Sequence, residues 1–147
     1  MGLVKFPVQH LPVLADTGFF VALLNKREVG HLRCQRAYQR IDAPIITCEA
    51  CVAETLHLLR HARQAVNALL KSIREGAMET PFRLSDSVAE VQNHMERYAD
   101  TPCDFADACL IAMADQFGTG DILTLDSHFK HYRWRRNRSF RLLIPLE

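Results

Sequence analysis

The sequence predicts an α/β fold in which a central parallel β-sheet is covered by helices on both faces. Short, largely apolar segments recur along the chain, among them Val13-Leu14-Ala15, Ile45-Ile46 and Ile122-Leu123-Thr124-Leu125. Continuous apolarity, as opposed to alternation, marks strands buried on both sides. Between these segments lie stretches of helical period, each bounded by capping or turn residues. Length agrees: 147 residues, 48% of them hydrophobic, suffice for one well-buried domain spanning positions 1–147. No repeat, low-complexity tract or linker interrupts it.

The first strand, Pro12 to Ala15, ends at Asp16-Thr17-Gly18, and Asp16 or Thr17 can cap a helix over Phe19 to Asn25. Gly30 punctuates before a second helix, His31 to Ile41, and Pro44 to Ile46 forms a second strand. Thr47 is placed to cap a helix running to about Arg60, whose Cys48, Val52, Leu56 and Leu59 fall within roughly 80° of arc. Arg63 to Glu75 repeats the helical pattern and stops at Gly76. Met78 to Leu84 contains an edge strand, because Pro81 cannot donate to a central ladder. Ser85 or Asp86 opens a helix through Val88, Val91, Met95 and Tyr98, and Pro102 breaks the chain. An alanine-rich helix from Asp104 to Phe117 is apolar enough to be buried, and Gly118-Thr119-Gly120 closes it. Ile122 to Leu125 is a strand ending at Asp126, a short helix follows over Ser127 to Tyr132, and Phe140 to Ile144 is the last strand.

Composition narrows the function classes. A net charge of +1 does not by itself mark a nucleic-acid binder. The longest apolar runs, Phe19 to Leu24 and Leu142 to Pro145, are too short to cross a bilayer, and the N-terminus has no secretory signature. A cytoplasmic protein with no membrane partner is expected. The five cysteines lack the spacing of a disulfide framework. Cys48-x-x-Cys51 with His57 and His61 suggests zinc, but on one helix the two pairs face opposite ways. Buried, reduced thiols are the expectation.

The chemistry lies in the acids. Asp16 and Asp126 each follow an apolar strand, and ligands of open parallel sheets bind beyond the carboxyl ends of strands, where strand order reverses. Asp104 and Asp107 stand three apart at a helix start, so one face presents both. Glu54 sits off the apolar stripe of its helix and is the weakest member by spacing, with Glu49 as a local competitor. Carboxylates gathered in one pocket repel one another, and a hard cation such as Mg²⁺ or Mn²⁺ relieves this while activating water against a phosphodiester. Each acid also has a structural reading. Asp16, Asp104 and Asp126 can cap helices, and Asp107 suits the first turn of one.

Four segments in this order resemble the PIN-domain ribonuclease family: Val13 to Gly18, Ala53 to Leu59, Asp104 to Ala112, and Ile122 to Phe129. The resemblance implies a three-layer α/β/α sandwich and Mg²⁺- or Mn²⁺-dependent RNA hydrolysis leaving 5′-phosphate and 3′-hydroxyl ends. It assigns the acids to Asp16, Glu54, Asp107 and Asp126, with Asp104 as an additional one, and Thr17 and Thr124 as supporting hydroxyls. Metal ligation is expected of Asp16, Asp104, Asp107 and Asp126. Bacterial members are often VapC-type toxins, commonly dimers blocked by a small antitoxin. RNA is thus the expected substrate, with an antitoxin and a second copy of the chain as expected partners. A housekeeping RNA-processing nuclease, or a silent module that only binds RNA or a partner, is the alternative. The acid patterns of haloacid-dehalogenase-like phosphatases and response-regulator receivers are absent, since Gly18 stands where the former need a second Asp.

From Lys130 to Arg141 there are six basic residues and no acid, with Tyr132, Trp134 and Phe140 interleaved. Lys130, Arg133, Arg135, Arg136 and Arg138 are candidates for phosphate contact, and the aromatics for stacking on unpaired bases. The other readings are a partner contact, or a solvated loop whose aromatics pack on the core. His57 and His61, on the Glu54 side of their helix, are either substrate contacts or surface residues.

Overall fold

A computed structural model describes residues 10–146. The segment 1–9, on which the reading of the N-terminus rests, lies outside them. In chain order the elements are β1 (Val13–Ala15), α1 (Thr17–Leu24), α2 (His31–Arg40), β2 (Ile45–Ile46), α3 (Glu49–Leu58), α4 (Arg63–Arg74), β3 (Met78–Glu79), α5 (Leu84–Arg97) and α6 (Phe105–Phe117). Then follow β4 (Asp121–Leu123), a 3₁₀ turn (Ser127–Lys130), β5 (Arg133–Trp134), β6 (Arg138–Ser139) and β7 (Arg141–Leu142). The main sheet has the order β3-β2-β1-β4-β7 and every pairing in it is parallel. Strand order reverses at β1, so a crevice opens between the carboxyl ends of β1 and β4.

Alternation along the strands builds the α/β/α layers. Leu14, Ile46 and Ile122 pack on one face with α6, with Val91 of α5 and with Cys48 and Cys51. Val13, Ala15, Ile45 and Leu123 pack on the other with Phe19, Phe20 and Ala22 of α1, Cys34 and Ala37 of α2, and Leu69 of α4. Helix α6 is buried along Ala108 to Ala114, as its all-round apolarity requires. Gly118 closes it in the left-handed region at φ 69°, and Gly76 follows α4 at φ 81°.

Three local expectations change. Thr47 does not cap α3. The N-cap is Cys48, and the Thr47 hydroxyl donates to the Ala15 carbonyl at 2.8 Å, tying β2 to β1. The buried face of α3 is centred on Cys51 and Thr55 instead of on Val52 and Leu56, which are only half-buried, because the helix straddles both cores. The fourth strand ends at Leu123, and Thr124 and Leu125 already belong to the loop that carries Asp126.

The basic stretch also folds differently from a single patch. Its centre is an antiparallel hairpin, β5 with β6, turned by Arg135 and Arg136, both at positive φ (41° and 71°). Tyr132, Trp134 and Phe140 are buried, so none of the three offers a face to a base. Trp134 covers Gly120, where an added Cβ would lie 2.6 Å from indole Cε2. Substituting Gly120→Ala is therefore expected to expel the indole and lower stability by about 1–3 kcal/mol, read as a fall in Tm with loss of Trp134 fluorescence burial. A Tm within a degree of wild type would show that the hairpin moves freely aside.

Among the described residues no helix is long and apolar enough to cross a membrane. Cys34, Cys48, Cys51 and Cys109 are buried free thiols, whereas Cys103 is only half-buried.

Candidate active site

Parallel register brings the dispersed acids to one end of the sheet. Asp16 leaves β1 as the N-cap of α1, its Oδ1 accepting the Phe19 amide at 3.0 Å and its Oδ2 accepting the Thr124 hydroxyl. Asp104 caps α6 by accepting the Asp107 amide at 2.9 Å, and Asp107 reaches back to the Asp104 amide at 3.4 Å, a reciprocal capping box. Asp126 caps the 3₁₀ turn through the His128 amide (2.9 Å), takes the His128 ring Nδ1 at 2.8 Å on the same oxygen, and its own amide donates to Thr124 Oγ1 at 2.9 Å. Glu54 stands on α3 with Oε2 accepting the Thr17 hydroxyl at 2.9 Å. All five carboxylates line one cleft of about 380 Å³, together with Thr17, Gly18, Leu58 and Leu125. Neither Glu49 nor His57 nor His61 lines it.

Capping and clustering thus coexist, and the electrostatics register the crowding. Asp16 is 7% exposed. Its pKa is raised from 3.8 to about 6, first by burial and further by Asp126 and Glu54, against the lowering effect of the Thr124 and Phe19 hydrogen bonds. Asp107 is raised to about 7 by burial and then by the charge of Asp104, with Asp126 and Asp16 adding to it. Thr124 is fully buried and touches both strand-end acids, donating to Asp16 and accepting from Asp126.

A hard divalent cation fits this donor set, which is all carboxylate and hydroxyl and carries an uncompensated excess of negative charge. Among the described residues no three His, Cys, Asp or Glu side chains are already drawn together as a finished cage. The reason is local. The caps engage Asp104 Oδ1, Asp107 Oδ2 and Asp126 Oδ1, Asp16 accepts the Phe19 amide and the Thr124 hydroxyl, and Glu54 accepts the Thr17 hydroxyl. None of these bonds uses Asp104 Oδ2, Asp107 Oδ1 or Asp126 Oδ2, and a carboxylate can offer both oxygens.

Tyr132 and His128 were not singled out as site residues from the sequence. The Tyr132 hydroxyl donates to the Pro102 carbonyl and lies 3.5 Å from Asp107 Oδ2. Burial and the neighbouring Asp107 raise its pKa, so it stays a proton donor. Phe129 and Tyr132, three apart after a strand-end acid, are the signal that this segment faces inward.

The candidate phosphate contacts are not brought together. Lys130 ends the 3₁₀ turn after Asp126, and Arg133 Nη1 donates to the Lys130 and Tyr132 carbonyls at 2.8 and 2.9 Å. Arg135, by contrast, donates its amide to Asp115 Oδ1 (2.6 Å), and its guanidinium covers Gly118 at the far end of α6. Eight residues of helix separate Asp115 from Asp107, roughly 12 Å. The Arg136 carbonyl accepts from Arg97, and Arg138 stacks on Trp134. Arg135, Arg136 and Arg138 therefore lie toward the amino end of the sheet, away from the acids.

With this geometry in view, comparison with known sequences is decisive. The profile of the PIN domain matches residues 13–135. The chain belongs to the PIN domain family. Its PIN domain contains all five acids. Comparison with curated proteins finds no match. Among solved structures, VapC20 of Mycobacterium tuberculosis, described as a Sarcin-Ricin loop cleaving toxin, superposes with a TM-score of 0.76. Identity is 20%, covering 86% of this chain and 98% of that one. At that identity the likeness establishes a shared fold.

Proposed function

We propose that this PIN domain is a metal-dependent endoribonuclease that hydrolyses RNA phosphodiester bonds, and that it is the toxin of a toxin–antitoxin pair. The observation that carries the reading is the cleft itself, where five carboxylates converge at the switch point of a PIN fold and two of them are pushed up toward neutral pKa. A structural role alone would not require so many carboxylates to be gathered and partly buried in one place.

In this reading Asp16, Asp104, Asp107 and Asp126 hold Mg²⁺ or Mn²⁺, which when bound supplies charge neutralisation and activation of water. Thr124 fixes Asp16 and Asp126 relative to each other, and the Tyr132 hydroxyl, donated to the Pro102 carbonyl, lies beside Asp107 at 3.5 Å. Glu54, held by Thr17 at the cleft edge, accepts a proton from the attacking water. Lys130 and Arg133 are the basic residues best placed to meet the RNA backbone. The likeness in fold to VapC20, described as a Sarcin-Ricin loop cleaving toxin, supports RNA as the substrate class; a small antitoxin partner, a homodimeric assembly and a cytoplasmic site of action belong to the same proposal.

The test is incubation with a labelled RNA panel in Mg²⁺, Mn²⁺ or EDTA. Cleavage in either metal, abolished by EDTA and leaving 5′-phosphate ends, is the expected result. Absence of cleavage under all three conditions would sink the reading. Native mass measurement of the protein purified from its own cells tests both the antitoxin and the dimer: a small co-purifying chain is expected, and a lone monomer would remove both.

A further inference from the structure

The acid cleft does not end at the acids. Asp104, Asp107 and Asp126 form a shared wall, and behind it lies a second pocket of about 500 Å³ lined by Tyr98, Thr101, Pro102 and His128. Nothing in the hydrolytic chemistry uses this pocket.

Its walls are held in place. Tyr98 accepts the Arg133 amide on its hydroxyl at 2.8 Å, and its ring packs on Tyr132 with centroids 4.9 Å apart. The His128 ring is pinned at Nδ1 by Asp126 and lies nearly parallel to Tyr132, at 25° and 6.5 Å. Tyr132 backs both rings and reaches Asp107, so one buried residue ties the pocket to the acids. Its hydroxyl also anchors Pro102.

Two features decide what such a pocket takes. No Lys or Arg lines it, so it offers a second phosphate no cationic partner. A neutral planar group needs none. The His128 imidazole offers stacking surface, and Thr101 and His128 offer polar atoms for the edge of a base. A phosphodiester seated on the acids places its adjoining nucleoside within reach.

We propose that this pocket receives the unpaired nucleobase on one side of the scissile phosphate and so sets the sequence preference of cleavage, a reading that rests on the nuclease assignment. The preference is then written by Thr101 and His128, with the His128 ring as the stacking surface; the Tyr98 ring, held between Tyr132 and the Arg97 guanidinium, forms the fixed wall.

A single-stranded RNA carrying one 4-thiouridine, walked position by position, is photocrosslinked in Mn²⁺ to the full-length Asp16→Asn protein, whose altered residue lies outside the pocket. Crosslinked peptides are then mapped. One position is expected to crosslink to residues 98–103 or 128–132, and Thr101→Trp, which fills the pocket, is expected to reduce that crosslink at least 5-fold while other positions are unchanged. Crosslinks that map elsewhere, that ignore Thr101→Trp, or that do not form overturn the proposal. The companion measurement is cut-site sequencing with wild type on a randomised RNA. Cutting without a crosslink in the pocket removes the base site and keeps the nuclease. A pocket crosslink without cutting by wild type does the reverse.

Discussion

Asp107→Asn and Asp16→Asn are each expected to lower kcat for RNA cleavage at least 100-fold while leaving the protein folded. Asparagine has the shape of aspartate, and its amide oxygen can accept the same capping bond, from the Phe19 amide at position 16 or the Asp104 amide at position 107. The helix starts are thus preserved. What disappears is a negative charge that a cation needs, and loss of such preorganised electrostatics typically costs several kcal/mol of transition-state stabilisation. Stability should move the other way. Both native carboxylates are disfavoured by burial, so neutral side chains relieve strain that function imposes. Paired measurement of turnover and Tm checks this. Cleavage by either variant within 3-fold of wild type would remove that acid from the reaction, whatever its Tm.

The second large effect is on stability against pH. For Asp16 and Asp107 the folded pKa values, about 6 and about 7, lie above the unfolded value of 3.8. Between those limits the native state binds protons that the unfolded chain has released, so stability falls as pH rises. Below about pH 4 both states are protonated and the slope vanishes. Above about pH 7 both are ionised and the full penalty is present. For Asp16 alone the shift corresponds to roughly 3 kcal/mol, or about 6–12 °C in Tm for a chain of this length. Metal-free protein should therefore melt lower at pH 8 than at pH 5. Millimolar Mg²⁺ or Mn²⁺ should restore most at pH 8, where protons no longer compete for the carboxylates. Differential scanning calorimetry with EDTA and with metal reads both effects. A metal-free Tm that rises from pH 5 to pH 8, or an equal metal response at both, would contradict this account of the cleft. Asp16→Asn should flatten the slope.

Several pieces of the site could be read before any coordinates. The apolar segment before Asp16 placed that acid at a strand end, and the segment before Asp126 placed it just past one, on the loop three residues beyond Leu123. The three-residue spacing of Asp104 and Asp107 placed both on one helix start. Such short-range patterns survive folding because the turn, the cap and the strand end are local structures. Glu54 was weak by spacing, and the reason is visible in α3. That helix serves both cores, so its amphipathic signal is blurred and its buried face falls on Cys51 and Thr55. The basic run from Lys130 to Arg141 misled in another way. Its residues are close in sequence, yet a hairpin turned by Arg135 and Arg136 carries part of the charge away from the acids.

By itself the sequence determined the α/β class, the order of helices and main-sheet strands along the chain, and the local placement of Asp16, Asp104 and Asp107 at helix starts, because periodicity and capping depend on neighbours a few residues away. Only the tertiary structure decided that Thr124 ties Asp16 to Asp126, that Tyr132 turns inward beside Asp107, and that a ring-lined pocket lies behind the acids. Those contacts join residues far apart along the chain, and their existence depends on strand order, which local pattern does not specify.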